Sequence, residues 1–513
     1  MLTLLVPFAP PASASVELYG SGSTWSQIAV DQWRADVATP AYGNLSVNYE
    51  GVGSSAGRSQ YYSGVNDFAV SEIPFSGRYC ELGTCTDEIA LASARPYAYL
   101  PIVAGGTSFM YNVSFGGQRI NDLQFSPTTL AGIFTGTISF WDDPAIEADN
   151  GHRPLPHQPI TPVIRSDGSG TTAQFTAFMA SQTPGQWQAF CAKVGLNPCG
   201  PTSIYPGFSN AAVPAIAQQL SDGVAGYVAA SYGSGSICYV EYGYAKERGF
   251  PVASILNKAG LYAQPSAGNV ANALTGATIN PDYTQNLTGV YTNPNPATYP
   301  ISSYSYMIVP TTTASPFTTQ KGAVLGAFIN YFVCQGQQES APLGYSPLPT
   351  NLVEDALAVE QKIPGAPPPP AVTPSTCNNP FVTGAFNATV AGAAAAAAAA
   401  KQAEAARAAA AAKAAASGSA GTAAAGANGA AAAAGGALSN AAAVADNAAA
   451  DSGPGGTGSS GTNQVAITAV PTPIGSKSPP TWPYFVALVV ALIIVVPPVI
   501  GIGRRRRRAS AMP

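Results

Sequence analysis

Apolar and polar positions alternate between two spacings over the first two thirds of the chain. Short apolar runs at Leu45 to Tyr49 and Ile160 to Ile164 predict strands, whereas Phe175, Phe178 and Met179 fall at the spacing of one helix face. Because strand-like and helix-like runs alternate, we expect an α/β fold. The stretch with globular composition is too long for one small core, so we expect two lobes.

The composition changes sharply after about residue 363. Gly365 to Pro374 is rich in proline and predicts an extended segment, and Ala388 to Ala450 is dominated by alanine. Within it, Val390 to Ala416 predicts a helix. This region carries no group suited to catalysis, so we expect residues 364–483 to be a low-complexity stalk.

Both chain ends carry signals of export to the cell surface. Residues 1–14 resemble the end of a signal peptide, possessing a short apolar region and a small-residue cleavage site but lacking a basic start. Residues 484–503 predict one transmembrane helix, and residues 504–513 a basic cytoplasmic tail. We therefore expect a single-pass cell-membrane protein whose folded part is extracellular and whose C-terminus is cytoplasmic.

Charge limits the kinds of partner. From Ser15 to Gly365 there are 13 basic and 23 acidic residues, a net charge of −10, and the remainder has 9 basic and 3 acidic residues. The folded part has no excess of basic residues, so nucleic acid is not an expected partner. A small anion would have to be held by local dipoles and one or two cations.

Seven cysteines suit an exported chain. Cys80 with Cys85, and Cys191 with Cys199, are close enough for local disulfides. Spacing leaves open which of Cys238, Cys334 and Cys377 is the odd thiol. With no Cys-x-x-Cys and only two histidines, no metal site and no cofactor are expected.

Three loops rich in Gly, Ser and Thr each lie at a predicted strand-to-helix turn. They are Gly20 to Trp25, Tyr49 to Gly57 with Ser54 as the expected N-cap, and Arg165 to Thr172. Small residues let the backbone approach a ligand, and the first N–H groups of a helix are free to donate to an anion. Each loop alone is equally explained by an ordinary capped helix.

One acid accompanies these loops. Asp67 to Pro74 predicts a strand that would place Glu72 at its carboxyl end, which is where ligands bind in open α/β sheets. The three loops, Arg165 and this acid together form a more specific set than any one of them.

These four stretches, in this order, resemble the PstS family, the phosphate-binding proteins of bacterial phosphate ABC transporters. The similarity extends to Gly132 to Gly136, Cys238 to Lys246 and Tyr299 to Ser302, and covers roughly Val16 to Lys362. The family implies a two-lobed venus-flytrap fold in which phosphate is buried in the cleft. On this basis we expect a phosphate-binding domain at residues 15–363, with lobe I at about 15–105 and 305–363 and lobe II at about 106–304.

The resemblance also implies the ligand set. Its expected phosphate-binding residues are Thr24, Trp25, Ser54, Glu72, Arg165, Ser169, Gly170 and Thr171, with Asp167 orienting the arginine. An ionised carboxylate only accepts hydrogen bonds, so it favours phosphate, which keeps a proton near neutral pH, over sulfate, which has none. The chain departs from the commonest pattern of the family, which has Asp where this chain has Glu72 and Phe where it has Trp25.

The predicted function is capture of inorganic phosphate outside the cell and its delivery to an ABC permease with its ATPase, without catalysis. Alternatives are a surface protein for sensing or adhesion on the same fold, or a binder of another oxyanion. A third is a serine hydrolase, because Gly53 to Gly57 matches the G-x-S-x-G pattern. That alternative needs a histidine, and the only two are His152 and His157, in a proline-rich loop.

Overall fold

Strands form where the apolar runs were predicted. The computed structural model describes residues 16–81 and 84–418, and within these ranges it has seventeen strands. In chain order they are β1 Glu17–Gly22, β2 Ser46–Gly51, β3 Phe68–Ser71, β4 Tyr79–Glu81, β5 Thr84–Thr86, β6 Tyr97–Asn112, β7 Ser114–Phe115, β8 Gln118–Arg119, β9 Gln124–Phe125, β10 Thr161–Arg165, β11 Ile216–Gln218, β12 Ser236–Glu241, β13 Ser254–Leu256, β14 Tyr262–Ala263, β15 Thr278–Ile279, β16 Gln285–Asn286 and β17 Ser302–Pro310.

Eight of these strands form one mixed sheet in the order β11-β10-β12-β6-β17-β3-β1-β2. At one end β2, β1 and β3 are parallel to one another, and at the other end β11, β10 and β12 are too. We name these groups the first half-sheet and the second half-sheet. Between them, β17 and β6 pair antiparallel to each other and to their outer neighbours.

Strand β6 belongs to both halves. Its segment from Tyr97 to Gly106 pairs with β17, and its segment from Thr107 to Asn112 pairs with β12. The pairing partner therefore changes between Gly106 and Thr107, without a break in the strand. A continuous strand that joins two parallel groups lets both sets of strand ends face the same region.

Fifteen α-helices accompany the strands in the described residues. They are α1 Gln27–Val37, α2 Ser54–Tyr62, α3 Glu88–Ala92, α4 Pro127–Thr135, α5 Pro144–Asp149, α6 Gly170–Gln182, α7 Pro184–Val194, α8 Leu220–Ala229, α9 Tyr242–Arg248, α10 Ala267–Leu274, α11 Thr288–Tyr291, α12 Thr319–Val333, α13 Ser340–Leu343, α14 Thr350–Glu360 and α15 Asn387–Gly418.

Buried aromatic side chains pack helices against the sheet and against one another. In α1, Trp33 is buried and stacks on Phe332 of α12, with ring centroids 5.0 Å apart. In α6, Phe175 is buried against Phe109 of β6, also with centroids 5.0 Å apart. Burial of such large rings anchors the helices that follow β1 and β10, so the loops at their N-termini are held against the sheet.

The segment after residue 363 departs from the predicted stalk at its beginning. Cys377 forms a disulfide with Cys334, and Asn379 is fully buried, donating to the carbonyls of Val333 and Leu348 at 3.1 Å each. Residues 366–386 thus pack against the folded part, because this covalent link and these buried hydrogen bonds hold them there. The lobe bounds remain predictions.

The other cysteines pair as their spacing predicted. Disulfides join Cys80 to Cys85 and Cys191 to Cys199, and Cys238 is the free, buried thiol. Cys238 lies in the middle of β12, where burial raises the pKa of its thiol well above its ordinary value. It is therefore an unreactive core residue.

The predicted alanine-rich helix is present as α15, and its first turns pack against α10. A Cβ at Gly268 would lie 2.9 Å from the Cβ of Ala393, so the two helices approach closely. Within residues 16–81 and 84–418, no helix is long and apolar enough to cross a membrane. The predicted signal peptide, transmembrane helix and basic tail lie outside the described residues.

Candidate functional site

The residues predicted to bind a ligand lie where the strands of both half-sheets end. Thr24, Ser54 and Glu72 follow β1, β2 and β3, and Arg165 is the last residue of β10. Each is 1–3% exposed, so the site is enclosed by the protein on all sides. Carboxyl ends of parallel strands are the usual location of ligand sites in α/β proteins, because the following helices begin there.

The loop before α1 brings Thr24 and Trp25 into the site. The Thr24 Oγ1 atom lies 2.8 Å from Oγ of Ser221, which belongs to α8 beyond the second half-sheet. Trp25 is fully buried, and its backbone N–H donates to Oγ of Ser23 at 3.0 Å. Its indole Nε1 is buried and has no hydrogen-bond partner among the described residues.

The second loop differs slightly from the prediction. Ser54 is the first residue of α2, and the N-cap is Gly53, whose φ of +89° suits glycine but few other residues. The helix starts one residue earlier than expected because Gly53 can take this conformation. As a result the Ser54 hydroxyl oxygen accepts from the N–H of Gly170 in the opposite half rather than from its own helix, and the hydroxyl donates to Glu72.

Glu72 is the centre of a group of hydroxyls. Its Oε1 accepts hydrogen bonds from Ser23 at 2.5 Å and Ser305 at 2.8 Å, and its Oε2 accepts one from Ser54 at 2.8 Å. Burial raises the pKa of Glu72 above its ordinary value, and the hydrogen bonds from the three serines oppose this shift. Four acceptor positions are available on a carboxylate, so these serines leave one on Oε2.

Arg165 is the buried cation of the site. Its guanidinium contacts both carboxylate oxygens of Asp167, with Nε donating to Oδ1 at 2.7 Å and Nη2 to Oδ2. Nη1 donates to Oγ of Ser221 at 3.3 Å, and Asp167 also accepts from the N–H of Leu220 at 2.8 Å. Asp167 therefore contacts the arginine through both carboxylate oxygens and joins the loop after β10 to the start of α8, and its role in orienting Arg165 for a ligand stays a prediction.

The third loop supplies the N-terminus of α6. Ser169 is its N-cap, accepting from the N–H of Thr172 at 3.2 Å, and Gly170 is its first residue. The N–H of Gly170 donates to Oγ of Ser54 at 3.1 Å, and Thr171 beside it is 1% exposed. The positive end of the helix dipole thus points at Ser54 and, through it, at Glu72.

Direct contacts connect the two halves of the site. Besides the Gly170–Ser54 bond, the N–H of Ser55 donates to the carbonyl of Gly168 at 3.1 Å, and Nε2 of Gln174 donates to the carbonyl of Glu72 at 2.9 Å. All eight predicted ligand residues are therefore gathered around one interface between the ends of the half-sheets.

Sequence reasoning did not identify three serines of the site. Ser23 lies inside the first predicted loop and could have been chosen beside Thr24. Ser221 and Ser305 contact residues 197 and 233 positions away, so no local pattern points to them. Only the pairing of the strands brings them to Thr24 and Glu72.

The serine-hydrolase alternative lacks its base. His157 stacks on Phe140, with ring centroids 4.7 Å apart, and its Nδ1 lies 2.8 Å from Oδ2 of Asp142. His152 is exposed in the same loop. Ser55, the serine at the centre of the pattern, accepts a hydrogen bond from Tyr79 OH at 2.7 Å, and neither of the two histidines is placed to activate it.

Comparison with known proteins identifies the family of this chain. The profile of the PBP superfamily domain matches residues 9–335. The phosphate-binding protein PstS of Xylella fastidiosa is 31% identical over 349 residues, which cover 67% of this chain and 86% of the relative. The phosphate-binding protein PstS3 of Mycobacterium bovis is 31% identical over 354 residues, covering 66% and 86%.

A solved structure is similar as well. A high-affinity periplasmic phosphate-binding protein (PfluDING), bound with phosphate, is 22% identical with a TM-score of 0.49, covering 67% of this chain and 93% of its own. The sequence matches confirm the predicted resemblance, and they confirm that the family is one of substrate-binding proteins rather than enzymes. The chain belongs to the PBP superfamily and, within it, to the PstS family of phosphate-binding proteins.

Proposed function

We propose that this protein is an extracellular, membrane-anchored solute-binding protein that captures inorganic phosphate and delivers it to an ABC permease and its ATPase. The observation that carries the proposal is the combination, in one buried site, of Arg165 and the α6 N-terminus with the carboxylate of Glu72, which accepts from serines and is not paired with the arginine as Asp167 is. The cation and the helix end attract an oxyanion, and the carboxylate requires that the oxyanion still carries a proton.

The hydrogen bonds around Glu72 support selection by proton count. Oε1 already accepts from two serines, and Oε2 accepts from one. One acceptor position is left, and it can accept a hydrogen bond from either form of phosphate near neutral pH, since each carries at least one proton. Sulfate has no proton to donate, so it would leave a buried acceptor unpaired and place two like charges together.

The gathered donors suit an anion with several oxygens. The hydroxyl of Thr24, the guanidinium of Arg165 and the N–H of Gly170 converge from both half-sheets, beside the Ser54 hydroxyl that donates to Glu72. A ligand that binds all of them stabilises the closed arrangement of the two halves, as hinge-type binding proteins require.

Delivery to a permease and membrane anchoring rest on family membership and on the sequence. PstS relatives are named as phosphate-binding proteins, and the apolar run at residues 484–503 is followed by five arginines. We propose that this run anchors the protein while the folded part remains outside the cell. Loss of the protein from the membrane fraction after deletion of residues 484–513 would support the anchor, and its retention there would contradict it.

Calorimetric titration of the protein with phosphate, sulfate and arsenate tests the binding function. We expect phosphate to bind and sulfate to bind far more weakly or not at all. Arsenate that binds better than phosphate would make another protonated oxyanion the ligand. No affinity for any of the three would favour a sensing or adhesion role on the same fold.

A further inference from the structure

Three buried tyrosines donate hydrogen bonds to three consecutive carbonyls of the loop before α1. Tyr49 OH donates to the carbonyl of Ser23 at 2.7 Å, Tyr244 OH to that of Thr24 at 2.6 Å, and Tyr345 OH to that of Trp25 at 2.6 Å. None of the three was part of the predicted site.

The three tyrosines come from separate parts of the fold. Tyr49 lies in β2, Tyr244 in α9 after the second half-sheet, and Tyr345 just after α13. They are 26, 220 and 320 positions from the carbonyls that they contact. Local turn geometry therefore does not explain their convergence on one loop.

Each of these carbonyls shares a peptide group with the following N–H. A hydroxyl that donates to the carbonyl polarises the peptide group and makes its N–H a stronger donor. The peptide groups concerned end in the N–H groups of Thr24, Trp25 and Ser26, which immediately precede α1. The same bonds also fix the orientation of those peptide groups, since each carbonyl is held from outside the loop.

We propose that Tyr49, Tyr244 and Tyr345 are positioning residues that orient and polarise the N–H groups at positions 24–26. Those of Thr24 and Ser26 are oriented for an oxyanion, and that of Trp25 is oriented for Oγ of Ser23, which in turn holds Glu72. This inference rests on the proposed function, because it assigns a role within the same site. The tyrosines touch the carbonyl side of the loop, so they act on the ligand through the peptide groups.

Tyr244 has an additional role because it comes from the other half of the molecule. Its bond to Thr24, like the contact between Thr24 and Ser221, joins the first half-sheet to the elements that follow the second. Opening of the site breaks this bond, whereas Tyr49 stays with the first half-sheet. Loss of the Tyr244 hydroxyl therefore increases the rate of phosphate release most.

The chain offers matched controls for a Tyr→Phe series. Tyr205 OH donates to the carbonyl of Phe134 at 2.6 Å, and Tyr299 OH to that of Thr107 at 2.7 Å, both buried and both away from the loop. Tyr205→Phe and Tyr299→Phe each remove one buried bond of the same kind and length. They report what such a loss does to stability alone.

Phosphate affinity, melting temperature and amide hydrogen exchange are measured for Tyr49→Phe, Tyr244→Phe, Tyr345→Phe and the two controls. We expect each of the three to weaken phosphate binding about fivefold, the equivalent of one hydrogen bond, and the controls to leave it within about twofold. Melting temperatures should fall to a similar extent in all five variants. Stopped-flow measurements should show the fastest phosphate release in Tyr244→Phe.

Hydrogen exchange separates this inference from the proposed function. Without phosphate, the amides at positions 24–26 should exchange faster in the three variants than in the controls. If the wild-type protein does not bind phosphate, the proposed function is contradicted. The hydrogen-exchange measurement without phosphate would then still test the positioning role of the tyrosines. Unchanged exchange, or affinity losses equal to those of the controls, would overturn the positioning role. So would loss of folding in all three variants with both controls folded.

Discussion

Gly170 lies so close to Glu72 that a Cβ on the glycine would be 1.9 Å from the glutamate Oε2. The same Cβ would be 2.6 Å from Oγ of Ser54. The first residue of α6 therefore has no side chain because the carboxylate and hydroxyl of the opposite half occupy that space. Glutamate at position 72 reaches across the interface further than the aspartate of the commonest family pattern could.

Substitution of Gly170 by alanine should weaken phosphate binding by at least tenfold, because the methyl group displaces Glu72 or separates the two halves. Gly226→Ala is the matched control, since this helical glycine has open space around its Cβ position. Calorimetric titration measures the phosphate affinity of both variants and of the wild type.

A second substitution identifies the cause. Glu72→Asp shortens the acid by one methylene, so it should recover part of the affinity lost in Gly170→Ala. The double-mutant cycle would then show a coupling of 0.5–3 kcal/mol, the range that contacting residues give. Additive losses would mean that the two residues do not meet in the bound state.

Substitution of Glu72 by glutamine should reduce discrimination between phosphate and sulfate. An amide can donate to an oxyanion as well as accept from it, so sulfate would no longer face a carboxylate. Titrations with both anions measure the ratio of affinities. Glu360→Gln, at another fully buried acid, is the control, and a ratio that stays at the wild-type value in Glu72→Gln would place the acid outside the ligand contacts.

Removal of the buried cation should abolish phosphate binding. Arg165→Ala leaves Asp167 without its cationic partner and the oxyanion without the one guanidinium among the predicted ligands. Arg165→Lys keeps the charge but loses the forked geometry, and it should weaken binding about tenfold to a hundredfold. Arg153→Ala removes a half-buried arginine that is paired with Asp122 away from the site, and this variant should bind phosphate as the wild type does. Phosphate binding by Arg165→Ala at wild-type strength would refute the assignment.

The sequence predicted the parts of the site that depend on local chain geometry. Loops of small residues after apolar runs indicated helix starts close to Ser54 and Gly170, to within a residue or two, and a strand ending in an acid indicated Glu72. Contacts between distant segments could not be predicted from the sequence. No pattern near Ser221 or Ser305 indicates that these residues contact Thr24 and Glu72. Likewise, the spacing of Cys238, Cys334 and Cys377 did not show that Cys334 pairs with Cys377.

The disulfide between Cys334 and Cys377 should contribute more stability than the hairpin disulfide between Cys80 and Cys85. The first closes a loop with a sequence separation of 43 and the second one of 5. Loop-closure entropy predicts losses of about 4 and about 2 kcal/mol when each pair is replaced by serines. Denaturant unfolding measures both, and limited proteolysis should cleave residues 366–386 only in the Cys334/Cys377 variant. Resistance of that segment to protease would show that other contacts suffice to hold it.

Glu360 should make the stability of the protein depend on pH. It is fully buried, it accepts from Asn330 at 3.0 Å, and burial raises its pKa to about 8. Its folded pKa lies above its unfolded one, so its contribution is fully present below the ordinary glutamate value and is lost as pH rises towards about 8. Glu360→Gln should therefore flatten the decline of the unfolding free energy between about pH 4.5 and 8. Exposed Glu354→Gln controls for the substitution, and parallel profiles for wild type and Glu360→Gln would contradict the prediction.

Burial of the site has a kinetic consequence. Thr24, Ser54, Glu72 and Arg165 are each at most 3% exposed, so an ion in solution cannot reach them while the two halves are in contact. Binding from this closed arrangement requires the halves to separate first, and at high phosphate concentration the frequency of that separation, rather than diffusion, limits the rate of binding. The rate of binding therefore has an upper limit, which is set by the strength of the hydrogen bonds that hold the two halves together.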